Sequence, residues 1–174
     1  MTFKNQVIYQ IYPKSYLDTT GNGVGDLRGI ISKLDYLADL GIDMVWLNPI
    51  YPSPQRDNGY DISDYVAIDP VFGTMDDFET LIHEGKKRGI DIMLDMVLNH
   101  VSTEHEWFQK ALAGDPYYQD FFFIQDEPTD WVSKFGGSAW APFGDTGKYY
   151  LHLFDVTQAD LNWRNENVRQ ELFD

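Results

Sequence analysis

Three short apolar runs, spaced along the first hundred residues, constrain this chain more than any other feature. Val7-Ile8-Tyr9-Gln10-Ile11-Tyr12, Met44-Val45-Trp46-Leu47 and residues 91–97 each read as a buried β-strand. Between them lie two helical patterns. Leu27, Ile30, Ile31, Leu34 and Leu37 recur at helical spacing through residue 40, and Gly41 ends that helix. Thr74 caps the next, with Asp77 three residues on and Phe78, Leu81 and Ile82 on its buried side, to a stop near Arg88-Gly89. The order β, α, β, α, β with buried strands requires parallel pairing through crossover helices.

Three parallel strands leave both edges of a sheet bare. A closed eight-unit barrel needs ~250 residues, whereas this chain has 174. The expected fold is therefore α/β, the first part of something larger. After His100 the rhythm stops. Residues 101–163 are rich in Trp, Phe, Tyr, Gly and Asp, and are far longer than the ~2–6 residues of an ordinary βα connection. They are expected to form an inserted subdomain. Residues 164–174 then open a further helix near Asn165, with Val168 and Leu172 on one side.

The totals exclude several functions. Asp and Glu outnumber Lys and Arg by 28 to 13, a net charge of −15, so nucleic acid and anionic membranes are not expected partners. With no cysteine, disulfides and thiol chemistry are absent. The N-terminus shows no secretory signal pattern and no run reaches the ~20 apolar residues of a membrane helix, which makes cytoplasmic the default expectation. Aromatics at 16% leave material for flat contact surfaces of the kind sugars use, as well as for the core.

On a parallel sheet, ligands bind at the carboxyl ends of the strands. The third strand is apolar until DMVLNH, where Asp95, Asn99 and His100 appear together. They converge only if the strand has ended by Asn99. The loop after the second strand carries Asp57-Asn58-Gly59-Tyr60, able to hydrogen-bond a sugar and stack on its ring, although DNG alone reads equally as a turn. Asp61 and Asp64 read as solvated or capping, and Glu104, His105 and Glu106 as helix surface. In the insertion, Trp140 and Phe154 are stacking candidates, Gln158 and Asp160 offer polar contacts, and Lys134 stands out as a cation in an acidic chain. The loop 18–26 places Asp18, Thr20, Asn22, Val24 and Asp26 at the first, third, fifth, seventh and ninth positions of an EF-hand-like pattern. Gly23 is sixth and Gly29 stands where the closing Glu would be. A Ca²⁺ site and a helix-capping turn both fit.

Taken in order, VIYQIYPKSY, DTTGNGVGDLRGI, NPIYPSPQRDNGYD, DMVLNH and QADLNW resemble the α-amylase superfamily of glycoside hydrolases, in its oligo-1,6-glucosidase branch. DTTG, SKFGGSAW and YYLHLFDVTQADLNW are most similar to the members that hydrolyse trehalose 6-phosphate. The resemblance implies the first three β/α units of a (β/α)₈ TIM barrel over residues 1–100, with a subdomain inserted after strand three over 101–163. It implies that Asp57, Tyr60 and His100 hold a glucosyl unit, that Asp95 supports the pocket, and that Phe154 lies beside the scissile bond near Gln158. Lys134 would meet a phosphate, and Asp18, Thr20, Asn22, Val24 and Asp26 would bind Ca²⁺. The implied reaction is retaining hydrolysis of a small α-glucoside, with its nucleophile and general acid after strands four and five, so these residues alone would be inactive. The alternatives are an oligo-1,6-glucosidase or dextran glucosidase, and a non-catalytic binding relative.

Overall fold

The computed structural model describes residues 3–173; Met1, Thr2 and Asp174, which the sequence reading counts into its first and last segments, lie outside them. Two compact units result. The first runs to Pro52 and resumes over Val66–Met96, while the second takes Ser53–Tyr65 and the residues from Val97 on.

The first unit is built on a parallel three-stranded sheet of order β1-β2-β3, made of β1 (Ile8–Ile11), β2 (Met44–Leu47) and β3 (Asp91–Leu94). Ile8, Met44 and Asp91 start in register and Ile11, Leu47 and Leu94 finish in register. Four helices cover this sheet's chain: α1 (Pro13–Tyr16), α2 (Leu27–Ile31), α3 (Leu34–Asp39) and α4 (Met75–Lys87). Ile11, Leu27, Ile30, Leu34, Leu37, Val45, Leu47 and Leu81 form the centre of its core.

Three expectations change here. The helix expected over 27–40 is two helices. The Ser32 hydroxyl donates to the Gly29 carbonyl at 2.7 Å and Lys33 N–H to the Ile30 carbonyl, a tighter turn that competes with the helical ladder. The buried stripe nonetheless continues from Ile30 to Leu34 across the break. The third strand ends at Leu94, not at residue 97, because its partner β2 stops at Leu47, before Pro49, which has no N–H to donate. Ile82 is exposed; α4 turns Leu81 and Gly85 inward with Phe78 half-buried. The Thr74 cap is present in full, with Thr74 Oγ1 accepting from Asp77 N–H and the Asp77 carboxylate accepting from Thr74 N–H.

Two glycines explain how tightly α1 and α2 pack. A Cβ on Gly25 would lie 2.1 Å from the Pro13 carbonyl oxygen, and one on Gly29 would lie 2.1 Å from that of Leu17. Only hydrogen fits at either place.

The second unit is antiparallel. Strand β4 (His100–Ser102) pairs with β8 (Gln158–Asp160), and β5 (Ile124–Gln125) and β6 (Trp140–Pro142) flank β7 (Tyr149–Leu151). Helices α5 (Glu106–Leu112), α6 (Pro116–Gln119) and α7 (Glu166–Phe173) complete it. Its core is aromatic: Phe108 meets Phe122, Phe143 and Tyr150 edge-on at 5.2, 5.6 and 5.0 Å between ring centroids. Val168 is buried and Leu172 half-buried, as their four-residue spacing predicts.

His105 corrects the surface reading. It is buried, its Nδ1 accepts from Trp107 N–H to cap α5, and its ring packs 4.7 Å from that of Trp107. Glu104 and Glu106 are exposed as expected.

Candidate functional site

The loop 53–61 is organised by Asp61, whose side chain is fully buried. Its carboxylate accepts from the Ser53 hydroxyl at 2.9 Å and from the backbone N–H groups of Arg56 and Asp57 at 3.0 Å each. These bonds hold a backbone with Gln55 at φ +62° and Asn58 at φ +52°, where side chains are rarely found. Asp61 is therefore neither solvated nor a helix cap. It anchors a tight turn, closed by Tyr60 N–H donating to the Asp57 carbonyl, that presents Asp57 and Tyr60.

His100 opens β4 and lies under that turn. Its Nε2 is 3.0 Å from the Tyr60 carbonyl oxygen. A carbonyl only accepts, so Nε2 carries the proton and Nδ1 accepts from the Asn99 amide at 3.2 Å. Burial pushes the imidazole pKa down, against the opposing pull of the Tyr60 carbonyl and of the Asp57 and Asp61 carboxylates. His100 is thus neutral at pH 7. The Phe154 ring stands 5.3 Å from it, tilted by 54°, and the Phe135 ring lies 6.1 Å beyond Phe154.

Gln158 is fully buried in β8. Its amide donates to Asp57 Oδ2 at 2.9 Å while its oxygen accepts from Asp155 N–H at 2.8 Å. It holds Asp57 in place across 101 positions of sequence. Among the described residues, hydrogen bonding to the Asp57 carboxylate comes from Gln158 alone, leaving Oδ1 for a ligand hydroxyl.

Asp57, Tyr60, His100, Phe154 and Gln158 are therefore brought together in one unit. Lys134 belongs to the same unit, on an exposed turn tied by its N–H to the Leu153 carbonyl at 2.7 Å. Trp140 is half-buried, its indole N–H donating to Thr129. Asp95 belongs to the first unit. It follows β3 directly, and its carboxylate accepts from the Trp46 indole N–H at 2.9 Å. Sequence reading missed the roles of Asp61 and His105, since an isolated Asp or His carries no periodic signal.

The loop 18–26 also lies in the first unit. Asp18 accepts from the N–H groups of Thr20, Gly21 and Gly23 at 2.8 Å each, with Gly21 and Gly23 at φ +80° and +87°. The Gly23 amide is the largest cause of a lowered Asp18 pKa, so the side chain is ionised. Asp26 caps α2 through Gly29 N–H at 2.7 Å and also binds Thr19. The capping turn is thus real. The donor set is also all hard oxygen, and Asp18 Oδ2 takes a single bond, so it keeps a lone pair for an ion. With two carboxylates in the loop, any ion needs oxygens from Thr20, Asn22 and the Val24 carbonyl.

Among the described residues no helix is long and apolar enough to cross a membrane. Comparison with known proteins adds the family. The model for the α-amylase catalytic domain matches residues 10–174. The chain is 58% identical to trehalose-6-phosphate hydrolase of Bacillus subtilis, over 99% of its own length and 32% of that protein's. It is 52% identical to an oligo-1,6-glucosidase of Heyndrickxia coagulans over the same shares. The crystal structure of Bacillus licheniformis trehalose-6-phosphate hydrolase superposes with a TM-score of 0.94 at 58% identity, covering 98% of this chain and 32% of that one. An isomaltulose synthase from Klebsiella gives 0.94 at 50% identity, covering 97% and 31%. The chain spans about a third of the length of the relatives it matches.

Proposed function

Because the chain belongs to the α-amylase catalytic-domain family, a TIM-barrel family of glycoside hydrolases, we propose that it forms the front part of a retaining α-glucosidase acting on trehalose 6-phosphate. In this reading β1 to β3 are the first three barrel strands and the second unit contains the inserted subdomain. The supporting observation is the meeting of Asp57, Tyr60, His100 and Phe154 in one unit, from segments far apart in sequence. Asp57 accepts hydroxyl protons of the terminal glucosyl unit through Oδ1. Neutral His100 donates through Nε2, and a sugar oxygen that takes this proton must share or replace the Tyr60 carbonyl. Phe154 covers an apolar face of the ring and keeps water from the bond to be cut.

The reaction itself needs a carboxylate nucleophile and a carboxylic acid ~5–5.5 Å apart. Both are assigned to residues outside this segment, which is therefore inactive alone; the groups described here orient the sugar. Lys134 is exposed, and its ammonium pairs with no carboxylate among the described residues. In a −15 chain it is suited to the substrate phosphate. Asp18, Thr20, Asn22, Val24 and Asp26 would hold a structural Ca²⁺, which would tie the loop to α2 through Asp26.

Turnover of trehalose 6-phosphate and of isomaltose by the full-length protein tests this directly. The reading requires preference for the phosphorylated disaccharide, and K134A must weaken that substrate about tenfold or more while sparing unphosphorylated trehalose. Preference for isomaltose would establish the second reading, an oligo-1,6-glucosidase, which the 52% identity to the Heyndrickxia coagulans enzyme supports.

A further inference from the structure

We propose that Asp160 is a positioning residue of this pocket, its carboxylate joining the Asn99–His100 corner to the backbone that carries Phe154 and Lys134. The inference rests on the glucoside reading for its activity tests.

Asp160 lies directly opposite His100 in the antiparallel β4–β8 pair. Its residue is 4% exposed. One carboxylate oxygen, Oδ1, accepts from Leu153 N–H at 3.0 Å, and the Asn99 amide stands close enough to favour the charged carboxylate. That amide in turn lies 3.2 Å from His100 Nδ1. Two chains of bonds therefore start at Asp160. The first runs through Asn99 to the His100 ring. The second runs through the main chain of Leu153, whose own carbonyl accepts from Lys134 N–H at 2.7 Å. The neighbouring Phe154 carbonyl is held by the Ser133 hydroxyl at 2.6 Å and by His152 Nδ1 at 3.2 Å. A single buried group thus links the His100 strand to the main chain of the Phe154 and Lys134 segments.

Packing alone gives no reason for a carboxylate here. Burying one is costly, and a neutral side chain of similar size would cost less. Burial raises the Asp160 pKa to about 6, against the pull of Leu153 N–H, Asn99 and His152. The titratable groups facing it are His152 on the loop after β7 and His100 on β4.

The test uses the full-length protein carrying D160N, which copies the protonated acid. Asn keeps an oxygen for Leu153 N–H but opposes a second amide to Asn99. The expected result is a KM for the α-glucoside raised about tenfold with kcat within about threefold, and loss of an inflection near pH 6 in 1/KM. Unchanged KM and unchanged pH dependence in D160N would overturn the proposal, as would a change confined to melting temperature. If D160N does not fold, N99A at an exposed position must show the same rise in KM, and its absence counts against the proposal. If the parent turns over no α-glucoside, the functional reading fails separately. The nitrogen NMR shifts of His100 then decide: Nδ1 must move in D160N, and an unmoved signal refutes the link.

Discussion

Replacing Asp61 should damage the second unit locally and measurably. The residue is fully buried and its carboxylate is the acceptor for Arg56 N–H, Asp57 N–H and the Ser53 hydroxyl. In D61L the hydroxyl can rotate to another acceptor, but the two amides cannot. A stranded amide costs about 1–3 kcal/mol when fully buried, so roughly 2–6 kcal/mol is the ceiling for these two part-buried amides. In D61N one side-chain oxygen survives, so one amide is stranded and the cost falls to about 1–3 kcal/mol. The positive φ angles of Gln55 and Asn58 then have less to hold them. Amide hydrogen exchange reads this residue by residue. In D61N the Arg56 or Asp57 amide should exchange roughly 5- to 150-fold faster than in the parent, the conversion of 1–3 kcal/mol at 25 °C. Glucoside binding should fall as well, because Asp57 follows its own N–H. Parent-like exchange at both amides in D61N would refute the assignment of Asp61 as the anchor of this loop.

Three further outcomes are expected. Burial pushes the His105 pKa down to about 4, so the unfolded chain binds its proton first; stability from this group is complete above pH ~6.5 and is lost as pH falls through about 4, in total roughly 3 kcal/mol. H105N, which can still cap α5, should flatten that part of an acid-unfolding curve, and an unchanged curve would exclude His105 as the source. G29A should destabilise by at least 1–3 kcal/mol, roughly the cost of overpacking, since its Cβ meets the Leu17 carbonyl at 2.1 Å; a parent-like urea midpoint would contradict this. Chelation of Ca²⁺ should lower the melting temperature, by the equivalent of ~2.7 kcal/mol if free ion had stood at a hundred times its Kd, and D18A should remove the response; equal melting with and without chelator in the parent would rule the ion out.

Much of the first unit was legible because its signals are local. Met44–Leu47 is bounded by its own apolar run and by Pro49, and Thr74 with Asp77 announces its helix. Errors arose where a partner decides. The third strand stops at Leu94 because β2 has nothing further to pair with it, and Ser32 breaks a helix whose apolar spacing continues unbroken. In the site, Asp57, Tyr60 and His100 were legible from their place after apolar strands. Gln158 was legible as a polar group, but its bond to Asp57 joins residues 101 apart and no local pattern encodes it. Asp61, His105 and Asp160 look like surface or unspecialised polar residues until burial is known.

Under the proposed function, Asp57, Tyr60 and His100 surround one glucosyl ring. A crystal structure of the full-length protein with a bound α-glucoside or glucose-like inhibitor tests it most directly. The expected result is a sugar hydroxyl within hydrogen-bond distance of Asp57 Oδ1, another at His100 Nε2 with the Tyr60 carbonyl contact lengthened or shared, and Phe154 against the ring. An ordered sugar bound elsewhere, with the 3.0 Å His100–Tyr60 contact undisturbed and Asp57 Oδ1 untouched, would contradict it.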